Sequence, residues 1–295
     1  MRGKTRENIA GYLFILPNLL GFAAFILFPM AFSFVLMFTD WNYLKGLGGL
    51  SFSGLDNIIK LGGDEIVWKA LLHNVIFSLS SVPLALVIGL LLAVILNRLV
   101  YMKTLIRTMI FLPYMSSIIA ISVVWRVLYN PSQGPINSVL KALGVDNPPG
   151  WLASPDWALA GVIIMTVWTY IGYAMILYMA GIQGISKDLY EASAIDGANA
   201  VKKFLHITLP MLKTTTFLTA VTLIISSFQV FASVQVMTNG GPMRSTSVLA
   251  LYIYEQAFEL RNMSYGATVS WLLFLFIFIV TLVQWRSQRK WQDQF

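Results

Sequence analysis

Residues 70–97 read ALLHNVIFSLSSVPLALVIGLLLAVILN, and no charged side chain interrupts them. About 20 apolar residues suffice for a helix to cross about 30 Å of hydrocarbon, so this run is long enough to span a bilayer. A continuous apolar run in lipid must satisfy its backbone within the segment, which selects a helix over a strand. Five further windows lack charge: 8–39, 108–125, 157–186, 214–243 and 262–285. Their spacing predicts six transmembrane helices near 11–38, 70–97, 106–128, 158–182, 211–237 and 266–285. Residues 1–295 then form one transmembrane domain of all-α class. Pro29, Pro83 and Pro113 fall inside or near the ends of these helices, where neighbouring helices can re-satisfy the freed carbonyls.

Composition agrees. Of 295 residues 57% are hydrophobic and 11% charged, with a mean hydropathy of +0.73; soluble domains carry about 25% charged residues. The 20 cations are spread too thinly for a nucleic-acid-binding face. With no cysteine there is no disulfide, thiolate metal site or Cys nucleophile. His73 and His206 lie far apart, and no metal site is expected. The first window follows Arg2, Lys4 and Arg6, but its apolar stretch is too long for a signal peptide and no small-residue cleavage site follows. It is read as a retained first helix.

Six spans place both termini on one side. Arg2, Lys4, Arg6, Arg98, Lys103, Arg107, Lys187, Lys202, Lys203, Lys213, Arg286, Arg289 and Lys290 fall there, 13 of the 20 cations. Only Glu7, Asp188, Glu191, Asp196 and Asp293 accompany them, so the positive-inside rule puts both termini in the cytoplasm. The net charge of +7 is then mostly topology.

No acidic residue falls in a predicted membrane core, where proton- and ion-coupled carriers need one. Arg126 sits near the outer end of its helix and can snorkel. No catalytic pair, nucleophile context or GxxxxGK[ST] phosphate loop is visible, so an enzyme is not expected and uphill transport would draw its energy from a partner. The polar interior residues are uncharged: Thr166, Trp168, Thr169, Tyr170 and Tyr173 in the fourth helix, and Thr222, Ser226, Ser227, Gln229, Ser233 and Gln235 in the fifth. Most of them, about two-thirds, read as helix-to-helix glue, and the rest as the path of a hydroxyl-rich solute, since Tyr and Trp offer an apolar face with a polar tip.

Residues 184–210, GISKDLYEASAIDGANAVKKFLHITLP, interrupt the membrane pattern. Ser186 can cap a helix whose first turn carries Asp188. Leu189, Ala192 and Ile195 recur at helical spacing, and Gly197 permits a left-handed turn. A second short helix is expected from about Asn199, ending before Pro210 opens the next span.

Glu191-Ala192-Ser193, Asp196-Gly197-Ala198, Phe204, Ile207 and Leu209-Pro210 resemble the "EAA…DGA…F…I.LP" loop of permease subunits in binding-protein-dependent ABC importers, with Ser193 in place of the usual second Ala. Leu16-Pro17, Phe38-Thr39-Asp40-Trp41, Gly54-Leu55-Asp56-Asn57, Phe111-Leu112-Pro113, Trp125, Asn239-Gly240-Gly241-Pro242 and Tyr252-Ile253-Tyr254 look like the carbohydrate branch, related to the larger maltose-transporter permease. The resemblance covers essentially the whole chain. It implies the type I ABC importer permease fold in a bacterial or archaeal plasma membrane, with a second homologous permease, two ATP-binding subunits and an external solute-binding protein. ATP and Mg would sit on the ATPase, and no cofactor on this chain. Glu191, Ala192, Ser193, Asp196, Gly197 and Ala198 would form the ATPase-coupling loop. The maltose-permease likeness puts Tyr173 where a sugar-contacting Tyr stands and Ser227 where a polar side chain contacts sugar, with Ser226 beside it. Tyr170 shares the face of Tyr173 and Thr166 lies one turn further back; Gln229, two residues past Ser227, need not share its face. Sugar is the implied solute, and glycerol phosphate esters are the alternative. The uncharged interior favours the former.

Overall fold

The computed structural model describes residues 2–98 and 102–292. Of the charged residues counted above, Arg2, Lys4, Arg6, Glu7, Arg98, Arg289, Lys290 and Asp293 lie outside the residues whose side chains are described.

Helices account for most of the described residues. In order they are α1 (Arg2–Phe22), α2 (Phe28–Leu36), α3 (Asp56–Gly63), α4 (Glu65–Arg98), α5 (Lys103–Met115), α6 (Ile118–Leu128), α7 (Pro135–Ala142) and α8 (Pro155–Gln183). Then follow α9 (Lys187–Ile195), α10 (Ala200–Lys203), α11 (Leu209–Met211), α12 (Lys213–Phe228), α13 (Ala232–Met237), α14 (Leu249–Tyr254) and α15 (Met263–Gln292). Two three-residue strands, β1 (Thr39–Trp41) and β2 (Leu50–Phe52), pair antiparallel and add a small hairpin to the all-α expectation.

Four helical segments are long and apolar enough to cross a membrane: Gly11–Leu36, Glu65–Asn97, Pro155–Gln183 and Met263–Arg286. Two bent pairs bring the number to six if each pair is one span. These pairs correct the expectation of unbroken helices. Over 106–128, α5 and α6 meet at 98°. Pro113 withholds one N–H near the end of α5, and the Ser116 hydroxyl takes the Leu112 carbonyl at 2.8 Å. Such side-chain competition offers the backbone an alternative to the helix. Over 211–237 the helix stops at Phe228 and restarts at Ala232. At its other end the segment Ala200–Met211 continues through Pro210, not stopping before it, and turns by 62° into α12. The π-helical turn Phe204–Thr208 has already widened the register there, so the missing Pro210 N–H breaks little. The π turn Ala23–Leu27 plays the same part before Pro29.

The chain divides into two compact units. The first is Met1–Glu65 with Tyr252–Leu272. Here Asn57 Nδ2 donates to the carbonyls of Met37 and Thr39, fixing the hairpin's approach. The Trp41 N–H reaches Ser264 Oγ at 3.0 Å. Tyr252 and Tyr265 both donate to Asp64 Oδ2, at 2.7 and 2.6 Å.

The second unit is Ile66–Leu251 with Leu273–Phe295. Helix α8 is its axis, with Val162, Met165, Met175, Tyr178 and Met179 buried along its length. Small residues set the crossings. A Cβ on Gly89 would stand 2.7 Å from Ala174 Cβ, and one on Gly172 would stand 2.9 Å from Phe111 Cα. Close backbone approach of this kind is how membrane helices gain van der Waals packing where lipid supplies no hydrophobic drive. Beyond the C-terminal end of α6, Asn137 donates to the Pro131 and Pro149 carbonyls and accepts the Trp151 indole N–H. Arg126 does more than snorkel: its guanidinium donates to the Val236 carbonyl at the end of α13, where a cation suits the helix dipole.

Candidate functional site

Two helix breaks of the second unit, between α5 and α6 and between α12 and α13, open onto one cavity of about 380 Å³. Tyr114 and Ser116 reach it from α5 and Ile118 from the start of α6. Thr166, Thr169 and Tyr170 come from α8, Ser226 from α12, and Gln229, Val230 and Phe231 from the unwound stretch before α13. Ala232 and Ser233 complete the wall. Non-helical backbone at membrane depth is tolerated where it lines a cavity or is buried in protein, and broken helices are a common way to build a transport site.

One buried amide holds the second break. Asn74 Nδ2 donates to the Phe228 carbonyl at 3.2 Å, and its Oδ1 accepts the Leu249 N–H at 2.8 Å. A fully buried Asn in α4 thus ties the end of α12 to the start of α14. Neighbouring His73 spends its Nδ1 on the Ser247 carbonyl at 2.9 Å. Among the described residues no cluster of His, Asp and Glu could hold a metal ion.

The wall chemistry is uniform. The hydroxyls of Ser116, Thr166, Thr169 and Ser226 donate to the carbonyls four residues back, at 2.8, 2.9, 3.0 and 2.9 Å. Each hydrogen is committed, so what these groups turn to a guest is acceptor lone pairs. The phenols of Tyr114 and Tyr170 and the exposed Gln229 amide can supply donors. No charged residue is among those that line the cavity.

Four of the six residues expected on a solute path, Thr166, Tyr170, Ser226 and Gln229, stand around this cavity. Tyr173 stands one ring away, stacked on Tyr114 with centroids 4.7 Å apart. Ser227 is elsewhere: fully buried, it donates to Ser78 Oγ at 2.8 Å and so joins α12 to α4. Ser227 and Gln229 stand apart because α12 ends between them and its last turn points them in different directions. Tyr114 and Ser116 were missed. Their signal was Pro113 followed by the pair Ser116-Ser117 inside a charge-free window.

The 184–210 segment folds into a second feature. Ser186 caps α9 by accepting the Asp188 N–H, and Asn199 caps α10 by accepting the Lys202 N–H. Asp196 ends α9, and Gly197 follows with φ of 72°. Ala198 N–H then closes on the Ser193 carbonyl at 2.9 Å and Gly197 N–H on the Ala194 carbonyl at 3.1 Å, a glycine-terminated helix end. Glu191, Ala192, Asp196 and Gly197 are exposed, while Ser193 and Ala198 are half-buried. Ser193 Oγ donates to the Tyr190 carbonyl, so its departure from Ala costs the helix nothing in unpaired groups. The apolar stripe faces outward: Leu189 is exposed and Ile195 is 88% exposed.

Comparison with known proteins adds to this geometry. Residues 67–292 match the family described as binding-protein-dependent transport system inner membrane component. The lactose transport system permease protein of Rhizobium radiobacter is 37% identical over 97% of this chain and 96% of its own length. The trehalose/maltose transport system permease protein of Thermococcus litoralis is 32% identical over 98% and 97%. A chain of a bacterial alginate ABC transporter, solved with an alginate pentasaccharide-bound periplasmic protein, superposes with a TM-score of 0.84 at 21% identity, over 98% of this chain and 97% of that one.

Proposed function

The chain belongs to the family of binding-protein-dependent transport system inner membrane components, and from that premise we propose that it is the translocation subunit of an ATP-driven importer of neutral sugars. It is a permease and not an enzyme. A second permease, two ATP-binding subunits that carry ATP and Mg, and an external binding protein would complete the machine. The cavity carries the substrate assignment: acceptor hydroxyls, two phenols and one amide around an uncharged space suit sugar hydroxyls and apolar sugar faces. An anionic solute such as a glycerol phosphate ester would call for a cation in the path, and no Lys or Arg is among the residues that line the cavity. Relatives that import lactose or trehalose and maltose support the same class.

Uptake by the reconstituted complex, with its binding protein and a panel of labelled neutral and uronate oligosaccharides, tests the assignment. We expect neutral sugars to be taken up. Gln229→Ala and Thr166→Val should lower uptake about five- to ten-fold, as expected for losing one buried hydrogen bond, with binding-protein affinity unchanged. Ser227→Ala should lower thermal stability and leave sugar preference alone. Uptake of uronates only, or unchanged uptake in Gln229→Ala and Thr166→Val, would refute the cavity as the sugar path.

The orientation is tested separately. With no native cysteine in the chain, Ser132→Cys should react with an impermeant thiol reagent from outside intact cells and Ser287→Cys should not. The cation excess on the side of residues 183–213 motivates this. Labelling of residue 287 from outside would reverse the topology.

A further inference from the structure

Two residues of α9 turn inward, Tyr190 and Ser193, while Leu189, Glu191 and Ala192 face out. The Tyr190 hydroxyl meets Thr208 Oγ1 at 2.9 Å. Thr208 is buried and closes the π turn Phe204–Thr208, just before Pro210. Four residues later the helix bends by 62° at Leu212 into α12. Leu212 is fully buried and belongs to the same apolar cluster as Tyr190, Ile182 and Met179. It rests on α8 at Gly181, where a Cβ would stand 2.7 Å from Leu212 Cδ2. Beyond this seat α12 runs 16 residues, ending beside Ser226 and Gln229 at the sugar cavity. The opposite wall, Thr166 and Tyr170, belongs to α8 itself.

We propose that the Tyr190–Thr208 hydrogen bond is the joint that passes movement of α9 to α12, with Leu212 on Gly181 as the pivot, so that α9 opens and closes the cavity from a distance. The proposal rests on α9 being the segment that docks on the ATPase. Three observations favour a working joint over static glue. A π turn followed by proline has fewer regular helix bonds to break when it flexes. A space of about 200 Å³ beside the joint, among Val94, Asn97, Ile182, Tyr190 and Thr208, leaves room for movement. The lever is also unequal. Thr208 lies about 6 Å along the helix from the pivot and Gln229 about 25 Å, at 1.5 Å rise per residue. If the segment turns as one piece, 1 Å at the joint becomes roughly 4 Å at the cavity. Tyr190 and Thr208 are positioning residues in this scheme and touch no substrate.

The test uses the full complex in proteoliposomes, with partner-subunit cysteines replaced and spin labels on Ile164→Cys in α8 and Leu218→Cys in α12. Uptake, ATP hydrolysis and melting temperature are measured on the same preparations. In the parent the label distance should change when ATP binds. Tyr190→Phe and Thr208→Val should each reduce that change and lower uptake per ATP about ten-fold, the scale of one lost hydrogen bond, with the melting temperature held. The double variant should be no worse than either single, as expected for two halves of one contact. Thr208→Ser keeps the hydroxyl and should restore uptake. Parent-like distance change and uptake in Tyr190→Phe and Thr208→Val would overturn the joint, as would failure of Thr208→Ser to restore uptake. A parent with no ATP-dependent change, together with normal transport by Glu191→Lys, would instead overturn the docking of α9 and the joint with it.

Discussion

Gly172→Ala is expected to cost the assembled transporter much of its thermal stability, although it adds a single methyl group. The position lies midway along α8, where α5 crosses without a side chain between them. The new Cβ would stand 2.9 Å from Phe111 Cα and 3.1 Å from the Ile110 carbonyl carbon, and closer still to the Ile110 carbonyl oxygen. All three are backbone atoms, so no rotamer change can relieve the contact. Overpacking a close-fitted core commonly costs about 1–3 kcal/mol, and displacement of backbone puts this case at the upper end. Moving α5 also moves Tyr114 and Ser116 out of the cavity wall. Heating detergent extracts before fluorescence-detected gel filtration should leave far less folded complex than the parent keeps at the same temperature, since about 1.4 kcal/mol or above shifts the unfolding equilibrium about ten-fold or more. Gly62→Ala is the control, since a Cβ there meets nothing within 4 Å. Equal survival of both variants would mean that α5 and α8 do not cross as described.

The contrast between Gly172 and Gly197 marks what can be seen in a sequence. Counting charges marked out the apolar segments that fold as long helices or bent pairs, because burying an ion in hydrocarbon is expensive everywhere along a helix. The same count is blind to whether a span is broken. Ser116 and Gln229 are as uncharged as their neighbours; the first break comes from Pro113 and the Ser116 hydroxyl, and the second is held by hydrogen bonds made across the fold. The Asn74 amide that caps the end of α12 sits 154 residues away from Phe228. Ser227 reads as a path residue by resemblance, and the partner that its hydroxyl meets, Ser78 in α4, is 149 residues distant. Gly172 gives no local signal at all: its need for a missing side chain comes from α5. The 184–210 segment was legible for the opposite reason. Ser186, Gly197 and Asn199 act on backbone groups within a few residues of themselves, so cap chemistry alone predicted both short helices and the turn between them.

That locality makes Gly197→Val and Glu191→Lys clean tests of the docking segment, and both are expected to abolish coupling while sparing the fold. Gly197 holds φ of 72° in open surroundings, and an added methyl group would meet nothing within 4 Å. Valine is therefore penalised only by its own backbone, about 1–2 kcal/mol for a left-handed residue, and the bonds of Gly197 to Ala194 and of Ala198 to Ser193 loosen. Asparagine adopts the left-handed region readily, so Gly197→Asn should retain transport. Glu191 is exposed on α9, and reversing its charge should leave the permease intact. A charge left unpaired or facing a like charge in an interface costs about 2–5 kcal/mol, a loss of on the order of 30-fold or more in ATPase affinity. Co-purification should therefore recover the permease from Glu191→Lys cells with the ATPase depleted. Gly197→Val should keep the ATPase but lose the stimulation of hydrolysis by loaded binding protein, because the turn that sets the angle between α9 and α10 no longer holds. The two defects differ in kind, one of attachment and one of transmission. Full transport by both variants would remove α9 from the coupling path, and loss in Gly197→Asn equal to that in Gly197→Val would trace the defect to bulk and not to the turn.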